Sequence, residues 1–552
     1  MASKLKIISL GGLNEIGKNL TVFEWENDLL IVDCGLTFPD DDMYGVDIVI
    51  PDFTYLEKNK ERIRGIVITH GHEDHIGGLP HLMKLISAPI YATRFTAGLL
   101  ELKFKEHGIL DKSPITTVAA GDTVAVGAFN VELIHVNHSI ADAVALAIHT
   151  PLGTVVHTGD FKLDVTPIRG EMMDLARLGE LGKQGVLALL SDSTNVERPG
   201  FSPSESKVGH RFDELFKDCS KRIIVTTFAS NVHRIQQVIN SAVKYNRKVG
   251  ITGRSMENVM KVATELGYMD IPAGVLVDIN RLKGLPKNEV VIITTGSQGE
   301  NMSALYRMAF SAHRQVEIDS DDCVIISASA VPGNELTISR VINELFKKGA
   351  QVVYDKLSDL HVSGHASQDE LKMVIALTKP RFFIPVHGES RHLHIHADLA
   401  RNMGVAQKNV LIAGLGQVIE ITKNNIKLNG KVPTGRTLLD GSSIGDVGSS
   451  VMRARRILAQ DGILMVVFSI SGEDSALVSG PDIITRGFVH TKESEELMEN
   501  LKRVVNETLE CCEESGIRDH TTIKSKIRSN LSGYIFKNTR RRPMIVPVIV
   551  EV

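Results

Sequence analysis

THGHEDHIGG, residues 69–78, sets three histidines and an aspartate within six positions: His70, His72, Asp74 and His75. The stretch closes GIVITH, a short apolar run that predicts a strand, so the polar cluster stands at a strand's carboxyl end. In extended backbone, residues two apart point to the same side, which aims His70 and His72 together. Asp74 and His75 follow where the chain turns into a helix predicted from about Gly77, with Leu79, Leu82, Met83 and Ile86 at helical spacing. Imidazoles suit zinc and its neighbours, and an added carboxylate suits a catalytic site better than a closed structural one. One loop cannot enclose a cation. Further ligands at later strand ends are His138 in HVNHS, Asp160 in HTGDF and His387 in PVHGE. Five histidines and two aspartates suffice for two divalent cations that share Asp160.

Outward from this cluster, the first part of the chain alternates short strands with helices. LKIISLGG, NLTVFEW and DLLIVDCG precede the cluster, and VELIHV, GTVVHTGD and GVLALLSD follow it. Antiparallel-looking strands mixed with helices predict two sheets in an α/β sandwich, assigned to residues 1–205. From there the pattern changes. RIIVTTFASN, KVGITGRS, EVVIITTGSQGE and CVIISASAVPGNE are buried-type strands, and the first two run into helices, which predicts a separate parallel-sheet domain at 206–350. Histidine-bearing loops return at 351–431, a Gly/Ser-rich linker covers 432–450, and 451–552 form a small α+β domain. That last domain runs through two strands, two helices at about 491–514 and 520–536, and a final strand.

With 552 residues, several domains are expected. Hydrophobic residues at 43% and charged residues at 23% match an ordinary soluble protein. No apolar run approaches the ~18 residues of a membrane span, and the amino-terminal MASKLKIISLGG lacks a signal peptide's features. Cys34, Cys219, Cys323, Cys511 and Cys512 form no CxxC pair, which points to a reducing cytoplasm and inert thiols. A net charge of −4 means that any polyanion must be attracted locally.

The remaining histidines have a plainer reading. His392 and His396 have ligand-like helical spacing but no carboxylate motif beside them, so they and His394 are surface or packing residues. His81, His107, His135, His149 and His157 are structural. In TFASNVHRI, Ser230 and Asn231 are either an ordinary helix N-cap or a helix terminus that receives an anion. In HVSGHA, Ser363 and Gly364 allow a phosphate close to the backbone, with His361 alongside. Lys248, Arg254 and Arg234 line a nucleic-acid path or are plain surface, and Arg540–Arg542 are a solvated tail or an assembly contact.

The ordered set HxHxDH, His138, Asp160 and His387 resembles the metallo-β-lactamase superfamily, which implies its αββα sandwich. The inserted parallel domain resembles the β-CASP insertion of nucleic-acid-processing members. GGLNEIGKN, HGHEDHIGG, HTGDFK, SDSTN and HVSGHA together resemble the bacterial ribonuclease J family over essentially the whole chain. By that resemblance His70, His72, His138 and Asp160 hold one cation, while Asp74, His75, His387 and the shared Asp160 hold the second, with zinc first and manganese as alternative. Some members of that family have lost ligands and serve as inactive partners; this chain keeps every one. His365 then donates to a phosphate oxygen or to the leaving 3′-oxygen, and Asp192 orients a ligand histidine or the attacking water, so Asp74, His365 and Asp192 form the expected catalytic set. Ser230, Asn231, His233, His361, Val362, Ser363, Gly364 and His365 are expected to bind substrate. The implied activity is a two-metal ribonuclease that removes nucleotides 5′→3′ from 5′-monophosphate ends and also cuts internally. It would act on single-stranded RNA in decay and rRNA and mRNA processing, as a homodimer or homotetramer alongside other RNA-decay proteins. The alternatives are a catalytically weak RNA-binding scaffold and a DNA- or tRNA-processing nuclease of the same fold.

Overall fold

The computed structural model describes residues 4–112, 114–296, 303–328, 334–354, 360–441, 443–444, 447–472, 477–489 and 495–552. Residues 297–302 and 329–333 of the loops after the expected strands EVVIITT and CVIIS, the start of the helix expected from 491 and part of the expected linker lie outside them. The chain divides into two units, Met1–Thr37 with Val49–Thr437, and Phe38–Ile48 with Leu438–Val552.

In the larger unit, an eight-stranded sheet runs in the order Ile426–Lys431, Gln417–Ile421, Leu5–Gly11, Leu20–Trp25, Asp28–Val32, Ile63–Val67, Ile90–Thr93, Ile115–Val118. A six-stranded sheet runs Phe382–Val386, Val186–Asp192, Gly153–His157, Val144–Thr150, Phe129–His135, Thr123–Val126. Alternation along the strands explains how they stack. Val144, Leu146 and Ile148 share a core with Ile7, Phe23 and Val32 of the other sheet. Ala145 and Ala147 point the other way, onto Leu178, Leu181, Leu371 and Val374 of two covering helices. This is a metallo-β-lactamase αββα sandwich.

A third sheet holds five parallel strands in the order Lys248–Thr252, Val290–Thr294, Arg222–Thr226, Asp322–Ile326, Gln351–Tyr354. Its inner strands are Val/Ile-rich and buried on both faces, as a parallel sheet flanked by helices requires. Gln351–Tyr354 completes this sheet, so the inserted domain extends past residue 350, where the sequence pattern alone placed its end.

The smaller unit has a three-stranded sheet, with Ile463–Ile470 central between Leu477–Arg486 and Met544–Glu551. Helices Glu495–Glu514 and His520–Thr539 cover it with Leu501, Val505, Ile527 and Leu531. A further helix, Ser449–Asp461, begins inside the stretch expected to be linker. Its arginines and serines hide the apolar spacing that would announce it.

Candidate metal centre

The loop after Ile63–Val67 turns into a helix sooner than its sequence predicts. Helix Glu73–Ile76 begins directly after His72, four positions before Gly77, and the His72 carbonyl accepts the N–H groups of His75 and Ile76. Glu73 and Asp74 sit in its first turn, where the helix dipole favours negative charge. The early turn carries His75 inward beneath His70, with ring centroids 4.0 Å apart. Asp160 follows strand Gly153–His157, Asp192 ends strand Val186–Asp192, and His387 follows strand Phe382–Val386. His387 holds a left-handed backbone (φ 53), a conformation a non-glycine residue adopts at a cost of roughly 1–3 kcal/mol.

These loops converge on one point. Nδ1 of His72 lies 3.1 Å from Nε2 of His70 and 3.1 Å from Nε2 of His138. A tetrahedral cation with Zn–N bonds of about 2.0–2.1 Å has ligand nitrogens about 3.3 Å apart, so this spacing fits a bound ion. On the other side, Nε2 of His387 is 3.2 Å and Nε2 of His75 3.6 Å from the Asp74 carboxylate. Oδ2 of Asp160 stands 3.2 Å from His75, 3.6 Å from His387, 3.7 Å from His70 and 3.8 Å from His138, and so reaches both groups.

The outer ring nitrogens are anchored, which fixes which nitrogen faces inward. Nδ1–H of His138 donates to the Gly364 carbonyl at 2.7 Å. Nδ1 of His75 meets the Asp33 carboxylate at 2.7 Å, Nδ1 of His387 meets the Thr194 hydroxyl at 2.5 Å, and Nδ1 of His70 meets the Thr69 hydroxyl at 3.1 Å. The donor set and its anchoring fit two divalent cations.

Charge divides the cluster. Burial drives His70 and His138 well below the ordinary histidine range and His72 down to about 4, so all three rings are neutral at pH 7 and available to a cation. Burial also works against protonating His75 and His387, but the Asp160 carboxylate, with Asp74 beside it, outweighs it. His75 is raised well above its usual value and His387 to about 9. Asp74 and Asp160 are held below the usual carboxylate range against their burial, by His75 and His387.

His365 and Asp192 sit at the rim. Nδ1 of His365 is 2.7 Å from Asp192 and 3.9 Å from Asp160. Burial opposes the charged form of His365, yet Asp192 raises its pKa. Asp192 thus touches His365 directly, while Nδ1 of the ligand-type His387 lies 3.6 Å away.

Other expected site residues fall differently. Asn231 is the N-cap of helix Val232–Lys244, its side-chain oxygen accepting the Arg234 N–H at 3.0 Å. Arg234 lies neither on a nucleic-acid path nor on the surface. It is fully buried, paired with Glu205 at 2.7 Å through two nitrogens and donating to the Ser327 carbonyl at 2.8 Å. A buried guanidinium needs such a partner, and nothing local in the sequence announces Glu205. Arg234 also touches His361 at 3.2 Å, and Phe228 packs on the His361 ring, so the TFASNVHR segment and HVSGHA are neighbours. Ser363 accepts the His365 N–H at 3.1 Å, Val362 is buried, and His233 is half-buried. Gly364 makes room for Ser139 and His138: a Cβ at that position would lie 2.7 Å from the Ser139 hydroxyl and 2.8 Å from the His138 ring. Lys248 and Arg254 are exposed. His392 and His396 are packing residues, His396 bonded to Ser193 at 3.0 Å.

Sequence reasoning missed three contributors. Asp33 accepts from Thr69 N–H and hydroxyl at 2.8 Å each while holding His75. The Asn19 side chain is 3.0 Å from Nε2 of His75, and Thr194 holds His387. Asp33 carried one signal, a carboxylate at the end of an apolar strand.

Four family models match successive parts of the chain: the metallo-beta-lactamase superfamily over 14–179, the ribonuclease J beta-CASP domain over 220–345, the Zn-dependent metallo-hydrolase RNA specificity domain over 350–413, and the ribonuclease J C-terminal domain over 450–552. The chain is 41% identical to ribonuclease J2 of Bacillus subtilis, covering 99% of each. It is 46% identical to ribonuclease J of Synechocystis over 92% of this chain and 79% of that one. Identity to ribonuclease J of Thermus thermophilus is 42%, over 99% and 95%. A crystal structure of a protein of unknown function from Enterococcus faecalis shares the fold, with a TM-score of 0.54 and 17% identity over 76% of this chain and 100% of that one. With a cation-binding cluster at the strand ends and relatives matching along nearly its whole length, the chain belongs to the ribonuclease J family of metal-dependent nucleases.

Proposed function

We propose that the protein hydrolyses single-stranded RNA 5′→3′ from 5′-monophosphate ends, with additional internal cleavage, in RNA decay and in rRNA and mRNA processing. The observation that carries this reading is the seven-residue ligand cluster with the His365–Asp192 pair at its rim. His70, His72, His138 and Asp160 would hold one divalent cation, and Asp74, His75, His387 and Asp160 the second, zinc being favoured by the imidazole-rich set. When bound, the pair supplies Lewis-acid activation of water and neutralises phosphate charge. Asp192 keeps the proton on His365, whose Nε2 gives it to the leaving 3′-oxygen. Asp33, Thr194 and Gly364 hold ligand rings in place. Incubation of the metal-loaded protein with end-labelled RNA and DNA of matched sequence tests the reading. Degradation of RNA alone, with mononucleotides released from the 5′ side, is expected; equal action on DNA would overturn the RNA assignment.

End recognition is assigned to the neighbouring segments TFASN and HVSGH. Thr226, Thr227 and Asn231 each keep a buried side-chain polar atom with no hydrogen-bond partner among the described residues, a cost that an oxyanion would remove. His361 is depressed to about 3, by burial and then by Arg234, and so offers a neutral imidazole. A compact pocket of neutral donors accepts a monophosphate and excludes a triphosphate. RNA with a 5′-monophosphate is therefore expected to be degraded faster than 5′-triphosphate RNA. Ser363→Asp should erase that preference while cleavage of circular RNA persists. Equal loss on both substrates would place Ser363 in the metal centre instead.

Cation binding should also release protons. In the metal-free protein His75 and His387 hold theirs at pH 7, His387 up to about 9. Ligation needs neutral rings, so about two protons per chain should leave at pH 7 and affinity should weaken as pH falls. Titration calorimetry in buffers of different ionisation enthalpy reads this directly; proton-neutral binding would mean that both rings are already neutral in the metal-free protein.

The carboxyl-terminal unit is assigned to assembly, as a homodimer or homotetramer. A chain ending at about residue 445 should show a lower mass by light scattering, whereas a monomeric full-length protein would exclude the role.

A further inference from the structure

Two cysteines expected to be inert lie together at the amino ends of the five-stranded parallel sheet. Cys219 follows helix Ser206–Lys217 and precedes strand Arg222–Thr226, while Cys323 is the second residue of strand Asp322–Ile326. The strands are parallel neighbours with Ile223 opposite Cys323. Both thiols line one cleft of about 410 Å³ that also presents Arg211, Glu214, Asp218 and Lys221, and the Cys219 thiol donates to the Lys221 carbonyl at 3.7 Å. Cys219 is partly exposed, whereas Cys323 is buried. Arg247, itself buried, donates to the carbonyls of Cys219 and of Lys221, which fixes a cation beside the Cys219 sulfur.

This environment separates the two thiols chemically. The neighbouring Cys323 thiol, with the Lys221 backbone and Arg247, outweighs burial and brings Cys219 down to about 6, while Cys219 and burial push Cys323 up. Reactive cysteines occupy such electropositive, partly exposed positions, and a resolving thiol beside one is the arrangement of redox-sensitive pairs. The metal centre draws on neither residue.

We propose that Cys219 and Cys323 form a modification site for hydroperoxides, with Cys219 the attacking thiolate and Cys323 the resolving thiol. Cys219 sulfur attacks one oxygen of ROOH: an S–O bond forms, the O–O bond breaks, and the departing alkoxide takes up a proton and leaves as ROH. The Cys323 sulfur then attacks the sulfenic sulfur. An S–S bond forms, the S–O bond breaks, and hydroxide leaves as water with the Cys323 proton. The dithiol has lost two electrons and two protons, and the hydroperoxide has taken up both to give ROH and water. The product ties the turn before strand Arg222–Thr226 to the neighbouring strand of the sheet.

The test uses the full-length, fully reduced protein and hydrogen peroxide at pH 7, followed by alkylation, digestion and mass spectrometry. The expected product is a Cys219–Cys323 linked peptide, two hydrogens lighter than its parts and released by dithiothreitol, which appears before the exposed Cys511 is consumed. In Cys323→Ser, Cys219 should stop at a sulfenic acid that dimedone captures. In Cys219→Ser, Cys323 should stay reduced. Recovery of both thiols unmodified at a dose that oxidises Cys511 would overturn the proposal, as would equal oxidation of Cys323 in Cys219→Ser. The wild-type mapping requires no variant, so an unstable substitution leaves the test intact.

Discussion

Asp74→Ala is expected to abolish RNA cleavage, lowering turnover by about 10³-fold or more, with the fold preserved. The side chain faces His387 at 3.2 Å and His75 at 3.6 Å and is 30% exposed, so its removal opens no interior cavity. The backbone carbonyl of Asp74, which accepts the Asn19 N–H at 2.9 Å, remains in the variant. What disappears is the hold on one of two cations. A bound cation contributes several kcal/mol to transition-state charge stabilisation, and about 1.36 kcal/mol is a factor of ten in rate. Turnover on end-labelled RNA, metal per chain by elemental analysis and a thermal melt should be read together. Wild-type turnover in a variant that has lost metal would sink the two-cation assignment. His75→Ala is the less clean choice, because it leaves the buried Asp33 carboxylate short of a partner, at an added cost of about 1–3 kcal/mol in stability.

His365→Ala should lower the rate at saturating RNA by about 10²–10⁴, the usual scale for a general acid, while leaving RNA affinity near wild type. The ring lies at the rim of the ligand cluster with Nδ1 committed to Asp192 at 2.7 Å. Asp192→Asn separates holding from charging. An asparagine oxygen can still accept from Nδ1–H, but the charge that raises His365 is gone. The acid form is lost as pH rises through the His365 pKa. In the asparagine variant that pKa is lower, so the alkaline fall in kcat should move to lower pH. Collapse of binding with an unchanged saturated rate in His365→Ala would reduce His365 to an anchor.

The clustered histidines and aspartates were legible because their chemistry is local. HxHxDH is one loop, and His138, Asp160 and His387 each close a recognisable strand. Their supports were not, because they act across the fold: Asp33 meets a histidine 42 positions away and Glu205 an arginine 29 positions away. Arg234 carries the charge of a surface residue, and only the tertiary pairing with Glu205 makes its burial tolerable. Cys219 and Cys323 are unremarkable by spacing and come to line one cleft only because the turn before one strand lies beside the neighbouring parallel strand. The helix at Ser449–Asp461 escaped for a different reason, since Met452 alone is buried and no apolar stripe marks it.

Gly364 bears on what such an enzyme can become. Its carbonyl grips His138 at 2.7 Å, and its missing side chain leaves space for that ring. His361, on the same short loop, rests on Arg234 of the inserted domain at 3.2 Å. Substitutions at 361–363 that keep the loop in place leave His138 aligned, whereas a bodily shift of the loop would twist His138 about its own bond. One glycine thus fixes both where this loop lies and how the His138 ring faces the cluster, and neither can be moved without the other.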